Sequence, residues 1–189
     1  MEKLSKKQRT FKLLTHSARV LFEQRGIEGV TFDDIAEHAN VCRTTVFNHF
    51  PSGNDLLIAL CSTEINNLIN HCANCNLQGL ALIKSVFGKL IDDTCSYPVV
   101  MSKLTTSYVT QRGAVEGGAV LEKTIAENLT IENKNRPLSV LQKISANEAM
   151  VMIFGFYYGM VNDYHITDKH FEAAKMKDWF NSMLDKFIC

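Results

Sequence analysis

The sequence contains little proline, no excess of either charge and no apolar run long enough to cross a bilayer. Among its 189 residues there are 3 prolines, 46% apolar residues and 21% charged residues, and the formal net charge is zero. This balance excludes a disordered chain, a collagen-like chain and a polycation that coats nucleic acid along its whole length. The longest uncharged stretch of the C-terminal half runs from Ala149 to Asn162. It is too short to span a membrane.

Several chemical signatures are also missing. There is no Ser-His-Asp order, phosphate-binding loop or glycine-rich dinucleotide fingerprint, so we expect neither an enzyme nor a cofactor. The CxxC motif of Cys72 and Cys75 has no second ligand pair at a matching spacing, so we expect no metal. The first ten residues have no apolar segment of the kind found in signal peptides. We therefore expect a cytoplasmic chain whose six cysteines are reduced.

Positive charge is concentrated at the start of the chain. Residues 1–25 carry a net charge of +5, and residues 26–60 carry −4. The cations nearest the N-terminus are Lys3, Lys6, Lys7 and Arg9. A basic segment on a neutral chain fits contact with a polyanion at one end, and it also fits a solvated helix face.

The hydrophobic periodicity predicts an all-α chain, because no segment shows the strict alternation of a hairpin strand. The predicted helices cover 6–25, 43–49, 80–91, 99–110, 119–130 and 139–163, with others starting at Thr31, Ser52 and about Asp168, and with a polar loop at 131–138. Thr31 and Asp34 have the spacing of a capping box. Ser52 and Asp55 repeat that spacing. Residues 99–110 are rich in Val and Thr, so a strand stays open there.

The second and third predicted helices have the spacing of a helix-turn-helix. Val46 and Phe50 fall on the inward side of the later helix. Its outward side carries Arg43, Thr44, Thr45 and Asn48. In a major groove, Arg can read guanine and Asn can read adenine, while hydroxyls and a helix N-terminus can hold phosphates. Periodicity alone fits equally well a helical hairpin that only packs.

One run of residues adds a family resemblance. The run reads Ala18-x-x-Leu21-Phe22-Glu23-Gln24-Arg25-Gly26, then Thr31-Phe32-Asp33-Asp34-Ile35-Ala36-Glu37-His38-Ala39, then Val41-x-x-x-Thr45-Val46-Phe47-x-His49-Phe50-x-Ser52-x-x-x-Leu56-Leu57. It resembles the N-terminal domain of TetR-family (tetracycline-repressor-type) transcriptional regulators. The resemblance implies an all-α homodimer with a helix-turn-helix DNA-binding domain at 1–52 and a helical ligand-binding and dimerisation domain at 53–189. We expect contacts with operator DNA from Lys6, Thr31, Cys42, Arg43, Thr44, Thr45, Phe47, Asn48 and His49.

The chain departs from the family pattern at three positions. It has Cys42 where Ser is frequent, Phe47 where Tyr is usual and Gly53 where Lys is usual. Each change removes a phosphate contact and predicts a flatter salt dependence of DNA binding. The basic N-terminal residues are expected to compensate.

The predicted helix 139–163 is apolar on nearly every side after Glu148, so it must be buried on every side. Gly155 and Gly159 would let a partner helix approach. The resemblance implies a four-helix dimer interface made by this helix and the last one; the alternative is a central helix of a monomer. A ligand cavity would draw on the aromatic and soft side chains of Phe87, Met101, Tyr108, Phe154, Tyr157 and Tyr158, which predicts a mainly apolar or aromatic effector.

The sequence therefore predicts a ligand-responsive DNA-binding regulator, a repressor that a small effector releases from its operator by shifting populations. The alternative is a helical small-molecule-binding dimer that has lost DNA binding. Exposed Arg43 and Asn48 would favour the first function, and masked ones the second.

A further hypothesis concerns Cys42. The dipole of the recognition helix and the neighbouring Arg43 both favour a thiolate at this position. Oxidation of an exposed thiolate would add bulk and negative charge where phosphate docks, and would release DNA.

Overall fold

The computed structural model describes residues 4–135, 143–167 and 170–188, and all regular structure within these ranges is helical. In chain order the helices are α1 Lys6–Arg25, α2 Phe32–His38, α3 Arg43–His49, α4 Gly53–Asn74, α5 Gly79–Ser96, α6 Pro98–Gln111, α7 Gly118–Asn135, α8 Ala146–Ile166 and α9 Ala173–Ile188. A 3-10 turn at Arg112–Ala114 separates α6 from α7. The all-α prediction is confirmed, and residues 99–110 are helical rather than a strand.

The first three helices form a small bundle whose ends are set by side-chain caps. The Thr31 hydroxyl accepts a hydrogen bond from the backbone N–H of Asp34, whose carboxylate accepts one from the backbone N–H of Thr31 at 2.8 Å. This capping box starts α2 at the predicted position. Leu14, Ile35 and Val46 bury one face of each helix in a common core.

The remaining helices pack around a second part of the same apolar core. Helix α5 packs against α7 and α9, α7 packs against α8, and α6 lies against α4, α5 and α8. Phe87, Ile91 and Phe180 are fully buried at the centre of this arrangement. Helix α6 also contacts α1, so the two parts of the chain are joined by packing as well as by α4.

Three predicted boundaries are wrong. Residues 131–135, predicted as loop, continue α7, because the Glu132 carboxylate accepts a hydrogen bond from the backbone N–H of Leu80 on α5. Helix α8 begins only at Ala146, where Ser145 and Glu148 form a capping box. The last helix starts at Ala173 instead of near 168. The predicted segments 136–142 and Asp168 lie outside the described residues, as does Lys3.

Candidate nucleic-acid interface and internal cavity

A four-residue turn holds α3 against α2. Within it, Asn40 adopts a positive φ of 50°, a conformation that Asn tolerates better than most residues. The backbone N–H of Val41 donates to the carbonyl of Ala36 at 2.9 Å. Val46 and Phe50, both about fully buried, fix the rotation of α3 about its axis, as predicted. The geometry is that of a helix-turn-helix.

The predicted DNA-contacting side chains mostly lie on the outward side of α3. Cys42, Arg43, Thr44, Phe47 and Asn48 are exposed. Thr45 and His49 are half-buried, and the His49 ring lies beside the rings of Phe11 and Phe50. Thr31 is exposed, with its hydroxyl engaged in the α2 cap.

Arg43 is paired within the chain. Its guanidinium donates to the carboxylate of Asp33 at 2.8 Å and lies 5.3 Å from the centre of the Phe47 ring. The side chains of Arg43 and Asp33 are each 60% exposed, so water screens their attraction and the pair is worth little. A phosphate or base edge can therefore displace Asp33 at small cost.

Cys42 is the N-cap residue of α3, and it is exposed. The hydroxyls of Thr44 and Thr45 lie 3.1 and 3.0 Å from its Sγ and lower the pKa of the thiol to about 7. The direction agrees with the sequence hypothesis. The largest causes are these hydroxyls. The Arg43 guanidinium, which the sequence hypothesis invoked, pairs with Asp33.

We expect Cys42 to be alkylated by iodoacetamide faster at neutral pH than the other described cysteines, since only the thiolate attacks. The rate should be half-maximal near pH 7 and fall below it. Burial raises the pKa of Cys61 to about 12, which makes that residue an internal control. Peptide mapping by mass spectrometry measures both sites. A rate for Cys42 that is still climbing steeply at pH 9 would contradict the lowered pKa.

The start of α1 presents a row of exposed cations. Lys6, Lys7, Arg9 and Lys12 all face solvent, and none has a carboxylate partner among the described residues. Their charges are therefore available to a polyanion.

Lys6→Ala is expected to weaken binding to every DNA sequence about equally and to reduce the slope of log K against log salt by about 1. The reason is that a lysine on a phosphate releases counterions without reading bases. Fluorescence anisotropy at several salt concentrations measures the slope. Lys123→Ala, which removes an exposed lysine of α7, is the control and should change nothing. A selective loss of operator binding in Lys6→Ala would contradict a phosphate contact.

A cavity of about 300 Å³ lies between α4, α5, α6 and α8. Of the predicted ligand-contacting residues, Met101, Tyr108, Phe154, Tyr157 and Tyr158 line it. Phe87 is absent from the wall: it is fully buried behind it, with its ring 5.2 Å from that of Phe154 and 4.7 Å from that of Phe180.

The cavity wall also carries charged side chains that the sequence interpretation missed. They are Glu64, Arg112 and Glu122. Arg112 and Tyr108 both donate to Glu122, and burial together with this bond raises the pKa of Tyr108. Glu64 follows Leu60 by four positions and precedes Leu68 by four, so a carboxylate on the apolar stripe of α4 was the signal that could have revealed it.

Two contacts join the cavity wall to α1. Arg19 of α1 forms an ion pair with Glu64 of α4, and its guanidinium lies 5.3 Å from the centre of the Tyr97 ring. The Glu23 carboxylate accepts hydrogen bonds from the backbone N–H groups of Val99 and Val100, at 3.3 and 3.1 Å, in the first turn of α6. These contacts tie α4 and α6 directly to α1, the helix that packs against α2.

An apolar face is left open on α8 and α9. Met152 and Trp179 are 49% and 45% exposed, and Phe156 packs between this tryptophan and Phe180. Apart from its neighbours along α8, no atom of the residues that the structure describes lies within 4 Å of a Cβ placed on Gly159. A face of this kind is typical of an interface with another chain.

The described residues contain neither a membrane-spanning helix nor a cluster of metal-ligating side chains. No helix there is long and apolar enough to cross a membrane. In the same part of the chain, no group of three or more His, Cys, Asp or Glu side chains is arranged to hold a metal ion.

Helix α3 presents an exposed polar face from a helix-turn-helix, which is the arrangement of a DNA-binding regulator. Residues 14–60 match the family model described as bacterial regulatory proteins, tetR family. Residues 14–60 therefore have the N-terminal domain of tetR-family regulators, and the predicted function, a ligand-responsive DNA-binding transcriptional regulator, is confirmed at that level.

The chain is also similar over most of its length to other proteins, and for the solved structures the similarity is one of fold. An uncharacterized HTH-type transcriptional regulator of Mycobacterium tuberculosis is 20% identical over 167 residues, which cover 87% of this chain and 86% of that protein. The fatty acid degradation regulator FadR from Bacillus halodurans has a TM-score of 0.75 at 15% identity, covering 97% and 96% of the two chains. Thermus thermophilus FadR, a TetR-family repressor in complex with lauroyl-CoA, has a TM-score of 0.69 at 19% identity, with 95% of each chain covered.

Proposed function

We propose that the chain is a homodimeric repressor whose operator affinity is lowered by a small effector bound in the cavity between α4, α5, α6 and α8. Residues 1–52 of each protomer place α3 in a major groove, and residues 53–189 bind the effector and form the dimer. The main support for DNA binding is that Arg43 and Asn48 are exposed on α3, whose rotation about its axis is fixed by buried Val46 and Phe50. This exposure disfavours the alternative of a dimer that has lost DNA binding.

The effector class follows from the cavity. Leu68, Leu104, Phe154 and their neighbours supply mostly hydrocarbon surface, which favours an effector with an apolar body. The lauroyl-CoA bound by Thermus thermophilus FadR has such a body. The effector acts by preferring a conformation in which the two α3 helices no longer match successive grooves, since a ligand shifts an equilibrium only by its differential affinity.

Selection from a pool of random double-stranded DNA with the full chain tests the proposal. We expect a two-fold symmetric site with half-sites about one or two helical turns apart, because the protein symmetry is copied in the operator. Octanoyl-CoA, 1-octanol and octylammonium then serve as effector probes, and at least one should weaken operator binding by about tenfold or more. Recovery of no site above background would contradict DNA binding, and higher expression from a reporter behind the selected site would contradict repression.

A further inference from the structure

Glu64 is the one carboxylate at the closed part of the cavity. It is 5% exposed, and its neighbours on the wall, Leu68, Leu104 and Tyr157, are buried too. The open part lies at Val109, Val151 and Arg112, whose side chains reach solvent. A ligand that enters between α6 and α8 therefore meets Glu64 with the end that it inserts first.

Three polar side chains of the cavity wall, Cys61, Thr105 and Tyr157, already use their hydrogens. The Cys61 thiol donates to the carbonyl of Leu104, and the Thr105 hydroxyl donates to the carbonyl of Met101 at 2.6 Å. The Thr94 hydroxyl donates to the carbonyl of Leu90, so the hydroxyl of Tyr157, 2.6 Å away, must donate to Thr94. These groups have no hydrogen left for a ligand.

Glu64 offers the opposite chemistry. Its partner among the described residues is Arg19, which forms an ion pair with Oε1. Oε1 is buried and has no other partner, and no hydrogen bond reaches Oε2 within the described part of the chain. A carboxylate oxygen in an apolar cavity without its hydrogen bonds is costly, and a donor on a ligand removes that cost. An anionic ligand end would instead be repelled.

Arg19 can accommodate a second donor on Glu64. Besides the ion pair, its guanidinium lies over the Tyr97 ring, so it keeps a favourable contact if Glu64 turns towards a ligand. Because Arg19 belongs to α1, its contact with Glu64 connects the cavity wall to the helix that packs against α2.

We propose that the effector is an amphiphile whose inserted end carries a hydrogen-bond donor, a primary ammonium or a hydroxyl, that binds Glu64, and that its apolar body fills the rest of the cavity. This inference rests on the proposed function of the cavity as the effector site. It separates the effector of this chain from ligands that present a carboxylate at the closed end, and from acyl-CoA bound by its hydrocarbon tail alone.

Isothermal titration calorimetry on the full chain tests the inference with octylammonium, 1-octanol, octanoate and octanoyl-CoA as probes. Octylammonium should bind at least about tenfold more tightly than octanoate, with 1-octanol between them, since hydrogen bonds to charged groups are strong. Octylammonium and 1-octanol should also release the protein from the selected operator. This release tests the effector role, which binding affinity alone does not.

The variant is the double substitution Arg19→Gln with Glu64→Gln, because Glu64→Gln alone would leave the Arg19 charge without its partner. In the double variant the affinities for octylammonium and octanoate should differ by no more than about threefold, because only unspecific differences between the probes remain. Met101→Leu, a change of similar volume on the same wall, is the matched control and should keep the preference. The probe ranking on the native chain stands as a test even where the double variant does not fold.

The outcomes separate the two proposals. Octanoate or octanoyl-CoA binding more tightly than both donors, with no response to the double substitution, would overturn the donor at Glu64 and leave the cavity as the effector site. Binding of none of the four probes would overturn the cavity as effector site, and the inference with it.

Discussion

Gly159→Glu is expected to dissociate the proposed dimer and to lower operator affinity by about 10²- to 10⁴-fold, the range in which linkage of two binding modules raises avidity. Gly159 lies on the open face of α8 beside Met152 and Phe156, and apart from its neighbours along the helix no atom of the described residues lies within 4 Å of a Cβ placed there. The glutamate therefore fits within one protomer. In a two-fold interface it places two unpaired carboxylates where apolar surface meets, at a cost of about 3–5 kcal/mol.

Light scattering and sedimentation equilibrium measure the oligomeric state of this variant, and fluorescence anisotropy measures its DNA affinity. The substitution removes a glycine from a helix interior, so the free energy of unfolding of the protomer should not fall. Gly113→Glu is the control, because Gly113 also has open space around it but lies in the 3-10 turn. A Gly159→Glu protein that stays dimeric and keeps its operator affinity would move the interface away from α8.

The N-terminal helices could be predicted nearly residue by residue because local chemistry sets their ends. Thr31 caps α2 and Ser52 caps α4, each accepting a hydrogen bond from a backbone N–H three residues later. Gly26, which has a positive φ, is the C-cap residue at which α1 ends. These signals act within a few residues, so they are visible in the sequence alone.

The C-terminal boundaries depended on contacts that sequence spacing does not contain. Residues 131–135 look like a polar loop, yet Asn128 and Glu132 reach the backbone N–H groups at the start of α5 and continue α7. The start of α8 had a local signal, the capping box of Ser145 and Glu148, that the apolar run after it obscured.

In the cavity, too, some features could be predicted from local sequence and others depend on contacts between distant residues. Its aromatic wall followed from composition and periodicity, and five of six predicted residues lie on it. The sixth, Phe87, faces the core, because an apolar side chain on a helix that is buried on more than one side can face either. The role of Glu64 depended on Arg19, which is 45 positions away in the chain and meets it only in the folded structure.

Arg43→Ala should cost about 1–3 kcal/mol in operator binding and relax the base preference at one position of each half-site, as expected for an arginine that reads guanine. Arg43 is exposed at the start of α3, and its pairing with Asp33 is too weakly held to keep it from DNA. The substitution removes an exposed side chain, so folding should be unaffected.

Arg43→Lys distinguishes base reading from simple attraction to phosphate. Lysine keeps the positive charge but lacks the two parallel N–H donors with which arginine binds the edge of guanine. If Arg43 reads a base, Arg43→Lys should lose most of the specificity while keeping its affinity for random DNA, and Arg43→Ala should lower both. Binding to the selected operator and to a scrambled fragment, measured at one salt concentration by fluorescence anisotropy, gives the two affinities. Equal losses on both fragments in Arg43→Ala, fully restored by lysine, would make Arg43 a phosphate contact and leave Asn48 as the exposed base-reading candidate on α3.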